Sequence, residues 1–98
     1  MDDVREQRLA ALRLANDVRR ARAELKRQIA DGVVSVAETL RHPSTVAARC
    51  SVLELLMSQR RWGRRKSAKF LAACAISESK SVGDLTERQR ELLVEQLQ

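Results

Sequence analysis

The sequence predicts an all-α protein in which a long N-terminal helix precedes a small helical domain. Alanine, leucine, arginine, glutamate and lysine, which all favour helices, supply 53 of the 98 residues. Three glycines, one proline and two aromatic residues are too few to build a β-sandwich or barrel. Serine or threonine recurs three residues before glutamate or glutamine, as it does at helix starts. At this length we expect one domain.

The first helix is predicted over residues 2–30, because neither glycine nor proline interrupts them. Its apolar residues recur at spacings of three, four or seven and share one face: Val4, Ala11, Leu14, Val18, Ala21, Leu25 and Ile29. This stripe is narrow and rich in alanine, so we expect its early part to fray or project until a partner arrives. Asp31 and Gly32 end the helix. We therefore divide the chain into a long basic N-terminal helix, 1–31, and a helical domain, 32–98.

Capping boxes predict where the helices of the domain begin. The hydroxyl residue and its partner are Ser35 with Glu38, Ser51 with Glu54, and Thr86 with Gln89. Pro43 stops the first of these helices near Arg41, and residues 44–49 can form another turn. After a break at Gly63, a helix is predicted over 64–75 and two consecutive turns over 76–84. The apolar residues expected in the core are Val52, Leu53, Leu55, Leu56, Met57, Leu85, Leu92, Leu93 and Leu97.

The formal net charge of +6 arises in one short segment. Residues 1–31 carry a net charge of +2, residues 32–57 zero, residues 58–69 +6 and residues 70–98 −2. The segment 58–69 contains no acidic residue and six basic ones: Arg60, Arg61, Arg64, Arg65, Lys66 and Lys69. Such a block creates a positive potential that attracts phosphate groups or an acidic surface.

Four of these cations fall in the first turn and a half of the helix predicted over 64–75. Cations at a helix start oppose the helix dipole, at a cost of roughly a few tenths of a kcal/mol each. A bound anion reverses the sign, because the free amides, the dipole and the cations then attract the same phosphate. Gly63 lets the main chain approach a strand, so the segment predicts binding to a nucleic-acid backbone. The alternative is a solvated face, but such faces normally mix both signs of charge.

Trp62 lies inside the basic segment, and two interpretations of it stay open. Its ring can stack on a sugar or base step, or wedge into a minor groove, as apolar side chains of architectural proteins do. It can equally be the lid of a small core, which is the commoner position for a single tryptophan.

The residues needed for catalysis or metal binding are missing from the sequence. There is no phosphate-binding loop, nucleophile elbow or CxxC motif, and the absence of tyrosine excludes strand cleavage through a tyrosyl intermediate. We expect Cys50 and Cys74 to be buried free thiols, and His42 to be a surface turn residue. We therefore expect no enzyme, no cofactor, no metal and no small-molecule substrate.

The chain shows no segment that would take it to a membrane. Met1, Asp2 and Asp3 are not followed by the apolar region of a signal peptide. The longest apolar run, 70–76, is far too short to cross a bilayer. We expect a cytoplasmic protein without a membrane partner.

From Val52 onward the sequence resembles the helix-two-turns-helix module of actinobacterial, mycobacterial-type integration host factors. The resemblance lies in LLMSQRRWGRRKSAKFL, 55–71, and ISESKSVGDLTERQR, 76–90. A further segment, ANDVRRARAELK, 15–26, resembles the helix before that module in the same family. Ribosomal protein S13 and formamidopyrimidine-type DNA glycosylases share the module.

The resemblance implies a nucleoid protein that binds double-stranded DNA with little sequence preference, bends it and assists phage-type site-specific integration. The implied partners are duplex DNA and integrase–DNA complexes, and the protein is expected to be a monomer. Gly63, Arg64, Arg65 and Lys66 correspond to the helix start that meets phosphates and the minor groove. Ser77 to Lys80 correspond to the turns on the same side. No activity follows from the glycosylases, because their catalytic N-terminal domain has no counterpart here.

The sequence departs from the family pattern at two places. Where the module often has Gly-x-Gly, this chain has Arg61-Trp62-Gly63. Where the module's first helix usually ends in Gly-Ile, this chain has Ala75-Ile76. Alanine costs about 1 kcal/mol in a left-handed conformation, so this departure disfavours the left-handed cap of the module there.

Two other function classes stay open on the sequence. One is a structured-RNA or ribosome-associated protein, since the module also occurs in the ribosome, and A-form RNA differs from DNA in groove width. The other is an adaptor whose long first helix docks on an acidic partner.

Overall fold

The predicted all-α fold is confirmed by the computed structural model, which describes residues 2–98. The elements are α1 Asp2–Ala30, α2 Val36–Arg41, α3 Thr45–Arg49, α4 Val52–Ser58, α5 Arg64–Ala73, a 3-10 turn Val82–Asp84, and α6 Glu87–Leu97. Between residues 2 and 98 the only β-type pairing is an isolated antiparallel bridge from Ser51 to Ser81. None of the described helices combines the length and apolarity needed to cross a membrane. Met1, the first residue of the predicted N-terminal segment, lies outside the described residues.

The first half of α1 projects from the domain as an arm, as the sequence predicts. Residues 3–17 are all exposed, and both Val4 and Leu14 keep 66% of their surface accessible. From Val18 onward the same stripe turns toward α3 and α4, and Ile29 is buried in the core. The molecule is consequently elongated, with extents of 54 × 27 × 24 Å.

The core is small and draws on the short helices and the C-terminal part of α1. Its largest fully buried residues are Leu40, Leu55, Leu56, Leu71 and Leu93. The core prediction is wrong for two residues, because Met57 and Leu92 are 39% and 36% exposed. α6 instead turns Leu93 and Val94 inward, so Val94 is buried although it was not predicted to be. Both helices are short, so each buries one narrow face and the adjoining apolar residue stays outside.

The C-terminus of α1 forms the predicted glycine cap. Gly32 has a φ of 75°, in the left-handed region. The Val33 N–H donates to the Gln28 carbonyl at 2.9 Å, and the Gly32 N–H donates to the Ile29 carbonyl at 3.2 Å. These two bonds define a Schellman motif, which satisfies carbonyls that the helix end would otherwise leave free.

Two of the three predicted capping boxes are complete, and one is only half formed. Ser51 with Glu54 and Thr86 with Gln89 exchange both hydrogen bonds. Ser35 accepts from the Glu38 N–H at 3.0 Å, but the Glu38 carboxylate lies 3.6 Å from Arg41 instead of returning to the cap. An exposed glutamate can choose between an amide and a guanidinium, and here the guanidinium one helical turn on is the partner.

Glu54 joins α1, α4 and the chain before α4. Its carboxylate accepts from the Ser51 N–H at 2.8 Å, and Lys26 Nζ of α1 lies 3.0 Å from it. Burial acts to raise the pKa of Glu54, but the Ser51 and Lys26 hydrogen bonds and the charges of Lys26 and Arg22 outweigh it. The pKa of Glu54 is therefore lower than its ordinary value of 4.5.

The C-terminus of α5 has a left-handed cap even though its residue is alanine. The helix ends at Ala73, two residues earlier than predicted, and Ala75 has a φ of 58°. The Ile76 N–H donates to the Leu71 carbonyl at 2.9 Å, and the Ala75 N–H to the Ala72 carbonyl at 3.0 Å. The left-handed cap is thus present although the departure from the family pattern disfavours it. Both cap bonds and the burial of Ile76 hold the turn against the strain at Ala75.

Replacing Ala75 by glycine should stabilise the protein by about 1 kcal/mol, because glycine adopts a positive φ without the steric cost. The measurement is chemical unfolding followed by circular dichroism. Ala72→Gly is the matched control: this residue is also exposed but helical, so its replacement should destabilise by roughly 0.5–1 kcal/mol. Equal effects of the two variants would contradict the strain assigned to Ala75.

Glu54→Gln should lower the free energy of unfolding at pH 7 by about 1 kcal/mol, through loss of the charged cap and the Lys26 pair. Since folding lowers the pKa of Glu54, its stabilisation is present above pH 4.5 and is lost as the pH falls through the folded-state pKa. Wild type and variant should therefore converge in acid. Urea unfolding at several pH values, with the exposed Glu91→Gln as control, tests this; a constant difference down to pH 2 would contradict it.

Candidate nucleic-acid interface

The six predicted cations lie on the turn before α5 and on the outer face of that helix. Ser67, Leu71 and Cys74, spaced four and three residues apart, are buried and form its inner face. The cations are all exposed and define what we call the basic edge: Arg60, Arg61, Arg64, Arg65, Lys66 and Lys69. Burial of this stripe leaves the basic residues of α5 exposed to solvent.

The start of α5 is left without a side-chain cap. Its N-cap residue is Gly63, whereas Ser35, Ser44, Ser51 and Thr86 cap α2, α3, α4 and α6. The first helical hydrogen bond at this end runs from the Ser67 N–H to the Gly63 carbonyl, at 3.1 Å. The preceding amides have no partner within the helix and carry the positive end of its dipole. This helix start can accept an anion.

The turn before α5 places a basic residue in a strained conformation. The Trp62 N–H donates to the Gln59 carbonyl at 3.2 Å and closes the turn. Its third residue, Arg61, has a φ of 69°, a conformation that favours glycine or asparagine in a type II turn. Gly63 itself has a φ of −79°, so Arg61 and not Gly63 supplies the left-handed residue. A side chain at Gly63 would meet nothing within 4 Å, which leaves room outside for a ligand.

The charges of the basic edge are almost free of carboxylate partners. Of the four ion pairs formed within residues 2–98, one involves the edge: Arg60 lies 4.0 Å from Asp31, and both side chains are mostly exposed. In the described part of the chain, the other five cations form no ion pair. The local positive potential is therefore not neutralised by the fold.

Trp62 packs on the domain, as expected for the lid of a small core. Its half-buried ring lies against the hydrophobic core. It meets the ring of Phe70 edge-on, with centroids 5.3 Å apart and planes at 71°. Lys66 Nζ lies 4.4 Å from the centroid of the Trp62 ring. Sequence reasoning missed this last contact, although the i, i+4 spacing of the two residues was a signal for it.

Ser77 and Lys80 lie beyond the opposite end of α5. This helix has ten residues, so its two ends are about 15 Å apart. The Lys80 N–H donates to the Ser77 carbonyl at 3.1 Å, which forms the first predicted turn, and the Val82–Asp84 3-10 turn is the second. The Lys80 carbonyl accepts from the Val52 N–H at 3.0 Å, which fixes the turn to α4. Participation of Ser77 and Lys80 in binding stays a prediction.

The remaining candidates for chemistry are sequestered or isolated. Cys50 and Cys74 are free and buried, as predicted, and burial raises the pKa of the Cys74 thiol. No group of three histidine, cysteine, aspartate or glutamate residues is arranged to hold a metal ion within the described residues. Those residues thus offer no reactive thiol or metal centre near the basic edge.

Comparison with known proteins places the chain in a family. No family model matches it. The integration host factor of Mycolicibacterium smegmatis is 34% identical over 92 residues, which cover 92% of this chain and 88% of that protein. The chain belongs to the integration host factor family. The integration host factor of Mycobacterium tuberculosis is 33% identical over the same shares of the two chains.

A solved structure supports the family at the level of the fold. It is described as sIHF bound to an 8 bp palindromic DNA, and it matches with a TM-score of 0.81 at 26% sequence identity. The match covers 88% of this chain and 99% of that one. The two chains therefore share the same fold.

Proposed function

We propose that this protein is a non-enzymatic DNA-architectural component of the nucleoid. It binds double-stranded DNA through the phosphate backbone and minor groove, bends it with little sequence preference, and assists nucleoid organisation and site-specific integration. Its partners are duplex DNA and integrase–DNA complexes.

The observation that carries this proposal is the basic edge around the uncapped start of α5. Five exposed cations without carboxylate partners surround free amides at the positive end of a helix dipole. Each of these groups gains energy when a phosphate approaches, and none of the five cations forms an ion pair within residues 2–98. The binding residues we propose are Arg60, Arg61, Gly63, Arg64, Arg65, Lys66 and Lys69, with Ser77 and Lys80 in the first of the two turns after α5.

The relatives favour DNA over the alternatives. Two curated relatives carry the name integration host factor, and the matching solved structure contains DNA. No feature of the basic edge favours A-form RNA, and the relatives give the RNA-binding alternative no support. We assign the DNA contact to the domain 32–98 and regard the helix 1–31 as an arm attached to it.

Low sequence preference follows from the kind of side chains on the edge. Arginine and lysine aimed at phosphates fix position on the duplex but carry no base code. Gln59, which precedes the edge, carries an amide, but its Nε2 is engaged because it donates to the Leu56 carbonyl at 3.2 Å. The arrangement therefore favours contact with any duplex.

Binding to a mixed-sequence duplex should weaken steeply with salt, and charge reversal at Arg64 and Arg65 should reduce that dependence. Each lost phosphate contact should lower the log–log salt slope by about 0.9 for B-DNA. Fluorescence anisotropy across a salt series measures this. Arg88→Glu is the control for each single reversal, Arg64→Glu or Arg65→Glu, since it changes the net charge by the same amount from an exposed position on α6. A flat salt response of the wild type, or equal losses in the reversal and control variants, would refute the assigned edge.

Arg61→Gly should make the protein more stable and a weaker DNA binder. Removing the strain at φ 69° should add about 1 kcal/mol to the free energy of unfolding. Loss of the guanidinium should lower affinity for unrelated duplexes alike. Arg61→Asn keeps a residue that tolerates this conformation, so it should lose binding equally and gain less stability. If both variants bind duplex DNA as tightly as the wild type, the assignment of Arg61 to the binding site is wrong.

A further inference from the structure

We propose that Trp62 is a positioning residue for Lys66: its indole face holds the lysine ammonium at the start of α5 before any phosphate arrives. This inference rests on the proposed function, since it assigns Lys66 to the DNA contact. It assigns Trp62 a role different from stacking or wedging into DNA.

Lys66 contacts the face of the Trp62 ring directly. Lys66 Nζ lies 4.4 Å from the centre of the Trp62 ring, within the range in which the ring quadrupole attracts a cation. Tryptophan offers the strongest such face among the aromatic side chains. Within the described residues, the contact of Lys66 with Trp62 is the only one between a cation and an aromatic ring, so the other five cations of the edge have no such partner.

The Trp62 ring is itself fixed by its neighbours. Phe70 meets it edge-on at 5.3 Å, and the ring packs against the hydrophobic core. The backbone N–H of Trp62 is bonded to Gln59 across the turn. Trp62, Lys66 and Phe70 are spaced by four residues, so Lys66 and Phe70 lie on one face of α5 and the ring spans both. A fixed ring can restrict a lysine, whereas a mobile one cannot.

The contact with Trp62 leaves part of the Lys66 ammonium free. A ring covers the ammonium from one side only, and Lys66 is exposed, so N–H donors remain available toward solvent. A free lysine loses much rotamer freedom when it is fixed against a phosphate. The contact with Trp62 restricts those rotamers in the unbound protein, so less freedom is lost on binding.

The same geometry argues against direct stacking of Trp62 on DNA. One face of the ring carries the Lys66 ammonium, and Phe70 meets the ring at a steep angle. A base or sugar could reach that face only by displacing the cation. Direct contact with DNA is therefore the competing outcome of the test.

The contact can be detected in the free protein by fluorescence. The chain has one tryptophan and no tyrosine, so emission reports on Trp62 alone. Lys66→Gln should change its intensity or maximum, while Lys69→Gln, which removes a cation from the same helix, should leave both unchanged. Identical spectra for wild type and Lys66→Gln would overturn the proposal without reference to DNA.

The role in binding is tested by a double-mutant cycle on a mixed-sequence duplex, with the full chain and circular dichroism to confirm folding. Trp62→Leu should weaken binding about two- to fivefold, the range of an exposed cation–ring contact. In a protein that already carries Lys66→Gln, Trp62→Leu should not lower the DNA affinity further. In a protein that carries Lys69→Gln, it should lower the affinity by the full two- to fivefold. Trp62→Phe keeps an aromatic ring, so it should bind DNA more tightly than Trp62→Leu. If Trp62→Leu does not fold, Trp62→Phe replaces it in the double-mutant cycle.

The outcomes separate the proposals. Equal losses from the tryptophan replacement in both lysine backgrounds would mean that Trp62 contacts DNA itself or only supports the fold, and would overturn the positioning role. A wild-type protein that binds no duplex would overturn the proposed function and with it this role on DNA. The positioning role is supported if the effects of Trp62→Leu and Lys66→Gln on affinity are non-additive, those of Trp62→Leu and Lys69→Gln are additive, and Lys66→Gln changes the fluorescence.

Discussion

The domain depends on a junction at residues 50–54, where three parts of the chain are held together by hydrogen bonds. Glu54 accepts from the Ser51 N–H and pairs with Lys26, so it ties the start of α4 to α1. Val52 donates to the Lys80 carbonyl, and Val82 donates to the Cys50 carbonyl, which ties the turns after α5 to the same point. A small core cannot fix these segments by area alone, so directional bonds set their relation.

Around this junction the fold tolerates unfavourable features where the proposed DNA contact lies. The start of α5 has cations at the wrong end of a dipole and no side-chain cap, and Arg61 occupies a left-handed conformation. Each feature lowers stability in the free protein, and the cations and uncapped amides become favourable when phosphate is bound. The other short helices begin with serine or threonine caps, so the exception coincides with the basic edge.

Much of this could be predicted because the signals are local. Gly32, Ser51 and Thr86 mark helix boundaries through bonds to residues within a few positions, and the predicted boundaries hold. The basic edge is also local, since four of its six cations share one short helix. Glu38 shows the limit: its sequence spacing fits a capping box, but the exposed carboxylate takes Arg41 instead.

By itself, the sequence determined the helical class, the long first helix with its exposed early stripe, the two free cysteines and the segment that carries the charge. Only the tertiary structure decided that Met57 and Leu92 stay outside while Val94 is buried, that Ala75 holds a left-handed cap, and that Trp62 lies beneath Lys66. The physical reason is how far apart in the chain the interacting residues lie. Caps, breaks and charge density arise among neighbours in the chain, whereas burial, tolerated strain and ring orientation depend on which distant elements pack against each side chain.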